Sequence, residues 1–197
     1  ARRMTAYKRP DLLFSDIEHL RAIAARWPLQ IVMAGKAHPR DVAGKALIRR
    51  LFEMKKALFP EVHVVFLPNY DMHMGHLLTS GVDVWLNTPL RPLEASGTSG
   101  MKAALNGVPN LSVLDGWWTE GCIEGVTGWA VGPLSTAEAN CDDGRALYSI
   151  LEDAVLPQYH RDRAGWLRVM QGAIAKNAYY FNSHRMMRRY ATAAYIR

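Results

Sequence analysis

Apolar positions in the first 115 residues alternate between helical spacing and short continuous runs. Ile17, Leu20 and Ile23 recur at the three-to-four-residue spacing of an amphipathic helix. The apolar run 29–34 follows and is closed by Gly35, which is typical of a strand buried on both faces. The chain therefore passes from a helix into a buried strand within its first 35 residues.

The same two patterns recur along the chain and predict the order of its elements. Strands are predicted at residues 29–34, 62–67, 82–86 and 111–114, with a weaker candidate at 129–131. Helices are predicted at residues 12–23, 42–58, 72–79, 98–105, 143–156, 160–180 and 183–195. Strands that alternate with helices indicate an α/β fold with a parallel sheet and right-handed crossovers.

The predicted topology also indicates where a functional site would lie. In parallel α/β sheets, ligands bind beyond the carboxyl ends of the strands, where the chain turns towards the next helix. The segments in this position are the loops after Ala34, Leu67 and Leu114, and residues 87–102. We therefore expect these four segments to build the site.

The composition is ordinary for a globular chain. Its 197 residues are 49% hydrophobic and 21% charged, and no run of about 18 apolar residues could span a membrane. Cys122 and Cys141 provide neither a disulfide framework nor a metal-ligand spacing, so a reducing, cytoplasmic setting is expected. His73 and His76 stand three apart without a third ligand, and we predict no metal site.

Positive charge is concentrated near the C-terminus of a chain whose formal net charge is +6. Residues 160–197 contain eight lysines and arginines and one acid, Asp162. Such a segment could contact nucleic acid or an anionic membrane. Apolar residues alternate with these charges at helical spacing, however, which favours a solvated helix face. We predict no nucleic-acid partner and no membrane partner.

The segment EASGTSGMK, from Glu94 to Lys102, is the strongest candidate for chemistry. Its small residues would let backbone N–H groups approach an anion at a helix N-terminus, where the helix dipole attracts negative charge. Ser96, Thr98 and Ser99 would add hydroxyl donors. The residue order excludes a Walker phosphate loop. Without further information, an anion-binding cradle and an ordinary N-capping cluster fit about equally well.

A basic cluster lies in the first nine residues. Arg3 and Lys8 stand five residues apart, beside Tyr7 and Arg9, in a segment that leads into a helix. Both side chains could reach one dianion, Arg3 by a bidentate contact and Lys8 as a point charge. The residues by themselves favour a solvated basic helix start instead.

Several longer segments together resemble the glycogen and α-glucan phosphorylases, most closely their shorter bacterial branch. They are RRMTAYKRPDLL, IVMAGKAHPRD, VVFLPNYDM, VDVWLNTPLRPLEASGTSGMKAALNG and LDGWWTEG, with WLRVMQGAI and FNSHRMMRRYATAAY near the end. The likeness covers nearly the whole chain, and EASGTSGMK is far more specific than a glycine-rich loop by itself.

The resemblance implies a fold, an activity and a cofactor. Phosphorylases of this family have two Rossmann-like domains in the GT-B arrangement, and this chain resembles the C-terminal one. They cleave the terminal α-1,4 bond of a glucan with inorganic phosphate and release α-glucose 1-phosphate with retention. Their cofactor, pyridoxal 5'-phosphate, works through its phosphate as proton donor and acceptor to the substrate phosphate.

The family's site residues carry over to matching positions of this sequence. Lys102 matches the lysine that holds pyridoxal phosphate as a Schiff base, and Arg3 and Lys8 match the pair that binds substrate phosphate. The implied residues are Arg3, Lys8 and Lys102 for catalysis; Lys102, Thr98, Gly97 and Tyr70 for the cofactor; and Glu94, Ser96, Gly97 and Tyr7 for the transferred glucose.

Two positions depart from the family pattern. Asp71 follows Tyr70 where the longer animal and plant enzymes carry a basic residue near the cofactor phosphate. The shorter branch shares this acid, so charge near the cofactor phosphate must be balanced differently there, and Tyr70 is a weaker match than the other positions. Met4 stands where the shorter branch often has an aromatic residue.

The resemblance also implies a domain organisation. Residues 1–197 would form one C-terminal catalytic domain, with 143–197 as a closing helical segment that crosses back to a partner domain. Because the sequence starts at Ala1 and contains no N-terminal GT-B domain, we expect a piece of a longer chain that is inactive by itself. The expected partners are α-1,4-glucan, inorganic phosphate, the N-terminal domain and a second copy in a homodimer.

Two other functions fit parts of the sequence. A sugar-nucleotide-dependent GT-B glucosyltransferase would share the sheet and the phosphate-binding Arg/Lys pair. Its donor-binding motif, however, lacks the Met101–Lys102 pair found here. A non-enzymatic anion- or glucan-binding module would fit if Trp117 and Trp118 were exposed, because sugar rings stack on indoles. Burial in the core is the commoner outcome for tryptophan.

Overall fold

The structure, a computed structural model, describes residues 1–133 and 143–196. Cys141 and Arg197, which entered the cysteine and charge arguments, lie outside these ranges. The strands within them are β1 Gln30–Ala34, β2 His63–Leu67, β3 Trp85–Asn87, β4 Asn110–Val113 and β5 Gly128–Val131.

Helices follow the strands in the predicted alternation. The α-helices of the described ranges are α1 Ile17–Arg26, α2 Val42–Leu58, α3 Met72–Gly81, α4 Thr98–Leu105, α5 Trp118–Gly121, α6 Asp143–Ile150, α7 Leu156–Arg161, α8 Arg163–Gly172 and α9 Ser183–Tyr190. Wider π turns continue three of them, at Leu151–Val155 after α6, Ala173–Ala178 after α8 and Ala191–Tyr195 after α9. The predicted α/β order is confirmed.

Two capping aspartates divide segments that the periodicity predicts as single helices. The Asp16 side chain accepts a hydrogen bond from the backbone N–H of His19, 2.9 Å away, so α1 begins there and Leu12–Phe14 forms a separate 3₁₀ turn. Asp162 accepts from the N–H of Gly165 at 2.8 Å and starts α8 inside the predicted helix 160–180. An aspartate at this position satisfies an N–H group that has no intrahelical acceptor.

All strand pairs are parallel, but the strands form two sheets where one is predicted. β1 pairs only with β2 in the described ranges, with Gln30 opposite His63 and Ala34 opposite Leu67. β4 lies between β3 and β5, and Asn110 stands opposite both Trp85 and Gly128. β3 is also shorter than the predicted strand 82–86 and is shifted towards Asn87. The predicted parallel α/β fold is therefore confirmed, and in the described ranges its strands form two sheets.

The prediction that the strand over 29–34 is buried on both faces is wrong. Val32 is 40% exposed and Val65, its partner across the β1–β2 pair, is 45% exposed. Ile31 and Val64, which point to the opposite face, pack into the cluster formed by α1 and α2. In the described ranges, helices therefore cover one face of this pair and leave the other face open.

The second sheet carries the more deeply buried core. Leu111 and Val113 on β4 are 1% and 0% exposed. They share a cluster with Trp129 on β5 and Trp166 on α8, whose rings stack 5.7 Å apart. The helices after residue 143 therefore cover a face of this sheet, as the predicted helical segment requires.

The last helix has a different character from those before it. α9 contains no buried residue and exposes Met187 and Tyr190 beside its arginines. Among the helices of the described ranges, none combines the length and apolar character needed to cross a lipid bilayer.

Two glycines let the N-terminal segment pack directly on the β1–α2 region. A Cβ atom on Gly35 would lie 2.1 Å from the carbonyl oxygen of Arg2, and one on Gly44 would lie 2.3 Å from that of Met4. Both distances are far below van der Waals contact, and the obstructing atoms are backbone. Glycine at 35 and 44 is therefore a condition for the position of residues 2–4.

We expect Gly35→Ala to lower the free energy of unfolding by about 2–3 kcal/mol, because the new methyl group must displace backbone from a packed position. Urea unfolding would measure the change. Gly81→Ala is the matched control, since its Cβ would meet nothing within 4 Å, and a change within about 1 kcal/mol is expected there. Equal effects of the two substitutions would contradict the packing argument.

Candidate active site

The first nine residues run along the carboxyl ends of two strands. The N–H of Arg2 donates to the carbonyl of Ala34 at 3.1 Å, and the N–H of Met4 donates to that of Lys36 at 3.0 Å. Residues Ala6–Lys8 then form a 3₁₀ turn. The carbonyl of Tyr7 accepts from the N–H of Leu90 at 2.6 Å, beyond the end of β3. This path carries the predicted residues Tyr7 and Lys8 across to the loop that follows β3.

The Arg2 guanidinium holds this segment in place. It donates to the carbonyl of Leu86, to Thr88 Oγ1 at 3.0 Å and to the carbonyl of Lys8 at 3.1 Å. Burial lowers the pKa of Arg2 to about 10, and the Glu94 carboxylate acts in the opposite direction. Arg2 is therefore a structural cation. The sequence did not indicate this role, because the family match lies at its neighbour Arg3.

Lys8 and Glu94 form an ion pair at the centre of the candidate site. Their side chains are 12% and 8% exposed, and Lys8 Nζ contacts Glu94 Oε2 directly. Lys8 Nζ also lies 5.1 Å from the centroid of the Tyr7 ring. Lys8 and Glu94 are 86 positions apart in the sequence. Three residues predicted for the site, Tyr7, Lys8 and Glu94, therefore lie in one cluster.

The backbone at Glu94 is fixed by a second acid. The N–H of Glu94 donates to Asp115 Oδ2 at 2.8 Å, and Asp115 Oδ1 accepts from the N–H of Gly116 at 2.9 Å. Asp115 follows β4, so the loops after β3 and β4 are joined here, as the strand-end rule predicts. Its role in the site was not predicted, because the sequence shows only an acid before a glycine.

Arg3 remains at the surface of the same cluster. Its side chain is exposed, and its Nη2 lies 3.4 Å from the Tyr7 hydroxyl. It does not contact Lys8 or Glu94 in any hydrogen bond of the described ranges. The structure thus brings Arg3 to the rim of the site rather than to its centre.

The small residues at the start of α4 make room for a tryptophan as well as for backbone donors. Gly97 caps the helix with a φ of 87°, which favours glycine, and its Cβ would lie 3.2 Å from Trp117 Cδ1. A Cβ on Gly100 would lie 2.8 Å from Trp117 Nε1 and 2.5 Å from Asn110 Oδ1. Packing therefore requires both glycines, whether or not an anion binds.

Three side chains of the predicted cradle are without internal hydrogen bonds in the described ranges. Among the described residues, no hydrogen bond involves the hydroxyls of Thr98 and Ser99 or the ε-amino group of Lys102. Lys102 is exposed, two helix positions beyond the buried Gly100. The carbonyl of Ser96 accepts from the N–H of Trp117 at 2.8 Å, so its loop is anchored while these side chains remain available.

Tyr70 and Asp71 stand between β2 and α3, and α3 packs on α4. Tyr70 belongs to the apolar cluster of Leu78 and Ala103, and burial raises the pKa of its hydroxyl. Asp71, the departure from the family pattern, caps α3 by accepting from the N–H of Met74 at 2.8 Å. The acid therefore has a local structural role.

A cluster of two arginines and one aspartate connects the segments that carry the site residues. Arg91 Nη2 lies 2.7 Å from Asp143 Oδ1, and Arg9 Nη2 lies 2.6 Å from Asp143 Oδ2. The side chains of Arg91 and Asp143 are both 2% exposed. Arg9 also donates to the carbonyls of Thr88 and Pro89. This cluster joins α6 to the N-terminal segment, through Arg9, and to the loop after β3, through Arg91. No local pattern in the sequence indicated it.

Trp117 and Trp118 are core residues. They are 5% and 0% exposed, and Trp118 Nε1 donates to the carbonyl of Trp129 at 3.3 Å. The exposed sugar-stacking surface that would favour a glucan-binding module is therefore not formed by them. In the described ranges, no three His, Cys, Asp or Glu side chains are grouped as metal ligands would be.

Fold and site define an α/β protein whose candidate anion site lies at the carboxyl ends of parallel strands. A family model described as carbohydrate phosphorylase matches residues 1–122. The chain belongs to the carbohydrate phosphorylase family. The match favours this family over the sugar-nucleotide glucosyltransferases considered above.

Individual relatives match over almost the whole chain. A glycogen phosphorylase of Aquifex aeolicus is 48% identical over 99% of this chain and 29% of its own length. A maltodextrin phosphorylase of Thermococcus litoralis is 45% identical, and a glycogen phosphorylase of Mycobacterium tuberculosis 41%, each over 99% of this chain and 24% of its own length. The chain thus spans about a quarter of the length of these relatives.

We expect Asp143→Asn to lower the free energy of unfolding by about 3 kcal/mol, because it leaves two arginines largely buried without their counter-charge. Thermal or urea unfolding would measure it. Glu18→Gln is the control, since Glu18 pairs with Arg21 at 2.6 Å while 81% exposed and should change stability by about 0–1 kcal/mol. A loss at Asp143 no larger than at Glu18 would contradict the structural role of the cluster.

Proposed function

We propose that this chain is the C-terminal catalytic domain of an α-glucan phosphorylase, which cleaves terminal α-1,4 bonds with inorganic phosphate to give α-glucose 1-phosphate. The contact between Lys8 and Glu94 carries the proposal. It joins a proposed phosphate-binding residue to a proposed glucose-binding residue at the loop that leads into α4. The matched relatives are named glycogen and maltodextrin phosphorylases, which supports the substrate class.

Pyridoxal 5'-phosphate fits the donor set at the start of α4. That helix begins at the positive-φ Gly97, and among the described residues the hydroxyl of Thr98 and the amino group of Lys102 have no hydrogen-bond partner. Lys102 would hold the cofactor covalently through Nζ, while Thr98 and backbone N–H groups near Gly97 would bind its phosphate. Tyr70 would border the same site from the side of α3. When bound, the cofactor would supply its phosphate as proton donor and acceptor to the substrate phosphate.

Arg3 and Lys8 would bind the substrate phosphate. Two phosphates held close together repel each other, so nearby cations and a helix N-terminus must balance their charge. Lys8 has three donor hydrogens and can contact Glu94 and a phosphate oxygen together. Arg3, exposed at the rim, has the planar donor geometry that suits a bidentate phosphate contact.

Glu94, Ser96, Gly97 and Tyr7 would orient the transferred glucose through its hydroxyl groups. Glu94 is held by its ion pair with Lys8 and by the bond from its own N–H to Asp115. Asp115 is itself occupied by two backbone N–H groups. Both acids of the site thus serve as anchored acceptors, which fits a reaction in which phosphate, and not a carboxylate pair, transfers the proton to the leaving oxygen.

The proposed domain organisation explains why the activity would need more than these residues. Residues 1–197 would form one domain, with the helices after residue 143 closing it and contacting an N-terminal domain that supplies the other wall of the cleft. Glucan, inorganic phosphate and that domain are the proposed partners, and a homodimer is the proposed assembly.

Borohydride trapping with peptide mass mapping tests the cofactor assignment. In the longer protein that contains this chain, loaded with pyridoxal phosphate, we expect a reduced pyridoxyl adduct on Lys102. Lys102→Ala should abolish both adduct and phosphorolysis, while Lys56→Ala, at an exposed lysine of α2, should change neither. An intact Lys102 without adduct would overturn the proposed mechanism.

The phosphate-binding role of Lys8 predicts a specific kinetic change in that longer protein. Lys8→Ala should raise the KM for phosphate by about tenfold or more and also lower kcat, since one charge-assisted hydrogen bond is worth about 1.5–3 kcal/mol. Lys56→Ala, at the exposed lysine of α2, is the matched control and should leave both constants near their original values. A normal KM for phosphate in Lys8→Ala would rule out this role.

The chain by itself should not turn over. Purified residues 1–197, supplied with pyridoxal phosphate, glucan and inorganic phosphate, are expected to release no glucose 1-phosphate in a coupled assay. Product formation above the level of a Lys102→Ala control would show that one wall of the cleft suffices.

A further inference from the structure

The backbone around Lys8 is attached to the loop after β3 at three successive residues. The carbonyl of Tyr7 accepts from the N–H of Leu90 at 2.6 Å. The Thr88 hydroxyl lies 3.2 Å from the carbonyl of Lys8 and donates to the carbonyl of Arg9 at 2.9 Å. Because Lys8 stands between two anchored neighbours, the direction in which its side chain leaves the backbone is fixed.

Arg9 has a backbone conformation that is unfavourable for a residue with a Cβ atom. Its φ of 42° and ψ of 57° lie in the left-handed region. Its N–H ends the 3₁₀ turn by donating to the carbonyl of Ala6 at 3.0 Å. The turn that contains Lys8 therefore ends in a conformation that other contacts of Arg9 must maintain.

Three acceptors fix the Arg9 guanidinium. It donates to the carbonyl of Thr88 at 3.0 Å and to that of Pro89 at 2.8 Å, and it lies 2.6 Å from Asp143 Oδ2. The bond to the carboxylate is the strongest of the three, because both partners are charged. The Asp143 side chain is 2% exposed, so little solvent competes for it. Asp143 is therefore the main anchor of Arg9 and of the turn that contains Lys8.

The second oxygen of Asp143 holds the other side of the Lys8–Glu94 pair. Oδ1 lies 2.7 Å from Arg91 Nη2, three positions before Glu94, and Arg91 Nη1 donates to the carbonyl of Val131 at 3.3 Å. A Cβ atom on Gly132 would lie 2.5 Å from Asp143 Oδ1, so the absence of a side chain there makes room for the carboxylate. One buried carboxylate thus connects the segments that carry Lys8 and Glu94.

We propose that Asp143 is a positioning residue for phosphate binding: through Arg9 it holds Lys8 in the orientation in which Nζ meets both Glu94 and the substrate phosphate. The inference rests on the proposed function, in which Lys8 binds that phosphate. Asp143 forms no hydrogen bond with Lys8 or Glu94 in the described ranges, so it acts through the arginines. A displacement of about 1 Å can cost a catalytic site about 100-fold in rate, which makes such an anchor consequential.

Position and charge predict opposite effects for one substitution in this cluster. Asp143→Asn removes a negative charge, so the electrostatic field by itself would attract phosphate more strongly. Arg9→Gly removes a positive charge and would weaken that attraction. If the cluster positions Lys8, both substitutions weaken phosphate binding. Arg9→Gly also suits the left-handed backbone and leaves Asp143 paired with Arg91, so this variant should fold.

Steady-state kinetics test the proposal in the longer protein that contains this chain, loaded with pyridoxal phosphate. We expect Asp143→Asn and Arg9→Gly each to raise the KM for inorganic phosphate by about tenfold. In a Lys8→Ala background, each should change this KM by less than about twofold, because residues that act through Lys8 have no further effect once it is removed.

Leu147→Ala is the matched control for a loss of stability. Leu147 lies on α6, as Asp143 does, and is 0% exposed in the core cluster of the second sheet. Its truncation destabilises the same helix by leaving a cavity and removes no bond of the arginine cluster. The KM for phosphate should stay near its original value in this variant.

Chemical labelling of lysines measures the position of Lys8 without turnover. After brief treatment with acetic anhydride and peptide mass mapping, Lys8 should be acetylated about tenfold faster in Asp143→Asn and in Arg9→Gly, because it loses the anchor that keeps its side chain 12% exposed. Lys56, exposed on α2, is the internal standard and should react equally in all variants. An unchanged protein without phosphorolysis would contradict the proposed function, whereas labelling decides independently whether Asp143 holds Lys8.

Three results would overturn the proposal. Unchanged labelling of Lys8 in both variants would mean that Asp143 does not hold it. A lower KM for phosphate in Asp143→Asn beside a higher one in Arg9→Gly would mean that the cluster acts by its charge. An equal rise in KM with and without Lys8, or the same rise in Leu147→Ala, would mean that the cluster only stabilises the fold.

Discussion

Arg2 is the residue on which the arrangement of the site most depends. Its backbone pairs with the end of β1, and its guanidinium binds the end of β3 and the turn that contains Lys8. It therefore connects two sheets that share no strand in the described ranges. Because the loops after both sheets contribute to the candidate site, Arg2 helps to set the relative position of Lys8 and Glu94. Its lowered pKa reflects the cost of placing it there.

The loop that leads into α4 meets two demands with the same residues. Gly97 and Gly100 allow Trp117 and Asn110 to pack against the helix, and this packing fixes its direction. The same absence of side chains leaves backbone N–H groups and the hydroxyl of Thr98 accessible. A structural explanation and an anion-binding explanation of this motif are therefore compatible, although they appear as alternatives in the sequence. The packing explanation accounts for the glycines, and it leaves Thr98 and Lys102 exposed.

Local patterns in the sequence account for the features that were predicted. Long-range pairing accounts for the features that were not. The bounds of α2 and α4, and the order of strands and helices, follow from apolar spacing, which is a local property. The division of the sheet and the exposure of Val32 depend on which strands lie side by side, and no spacing records that. Asp143 is separated from Arg9 by 134 positions, so nothing near either residue indicates the pair. Lys8 and Glu94 were connected only through the family resemblance, and the structure brings them into contact.

The position of Asp143 has a consequence for how the protein is made. Synthesis proceeds from the N-terminus, so the N-terminal segment and the loop after β3 leave the ribosome well before the first residue of α6. Until residue 143 emerges, Arg9 and Arg91 have no carboxylate to bury against, and solvent must hydrate them. The loop that carries Glu94 can therefore be assembled early but becomes fixed only late. The candidate site can therefore be completed only after α6 has been synthesised, although no residue of α6 is assigned to the site.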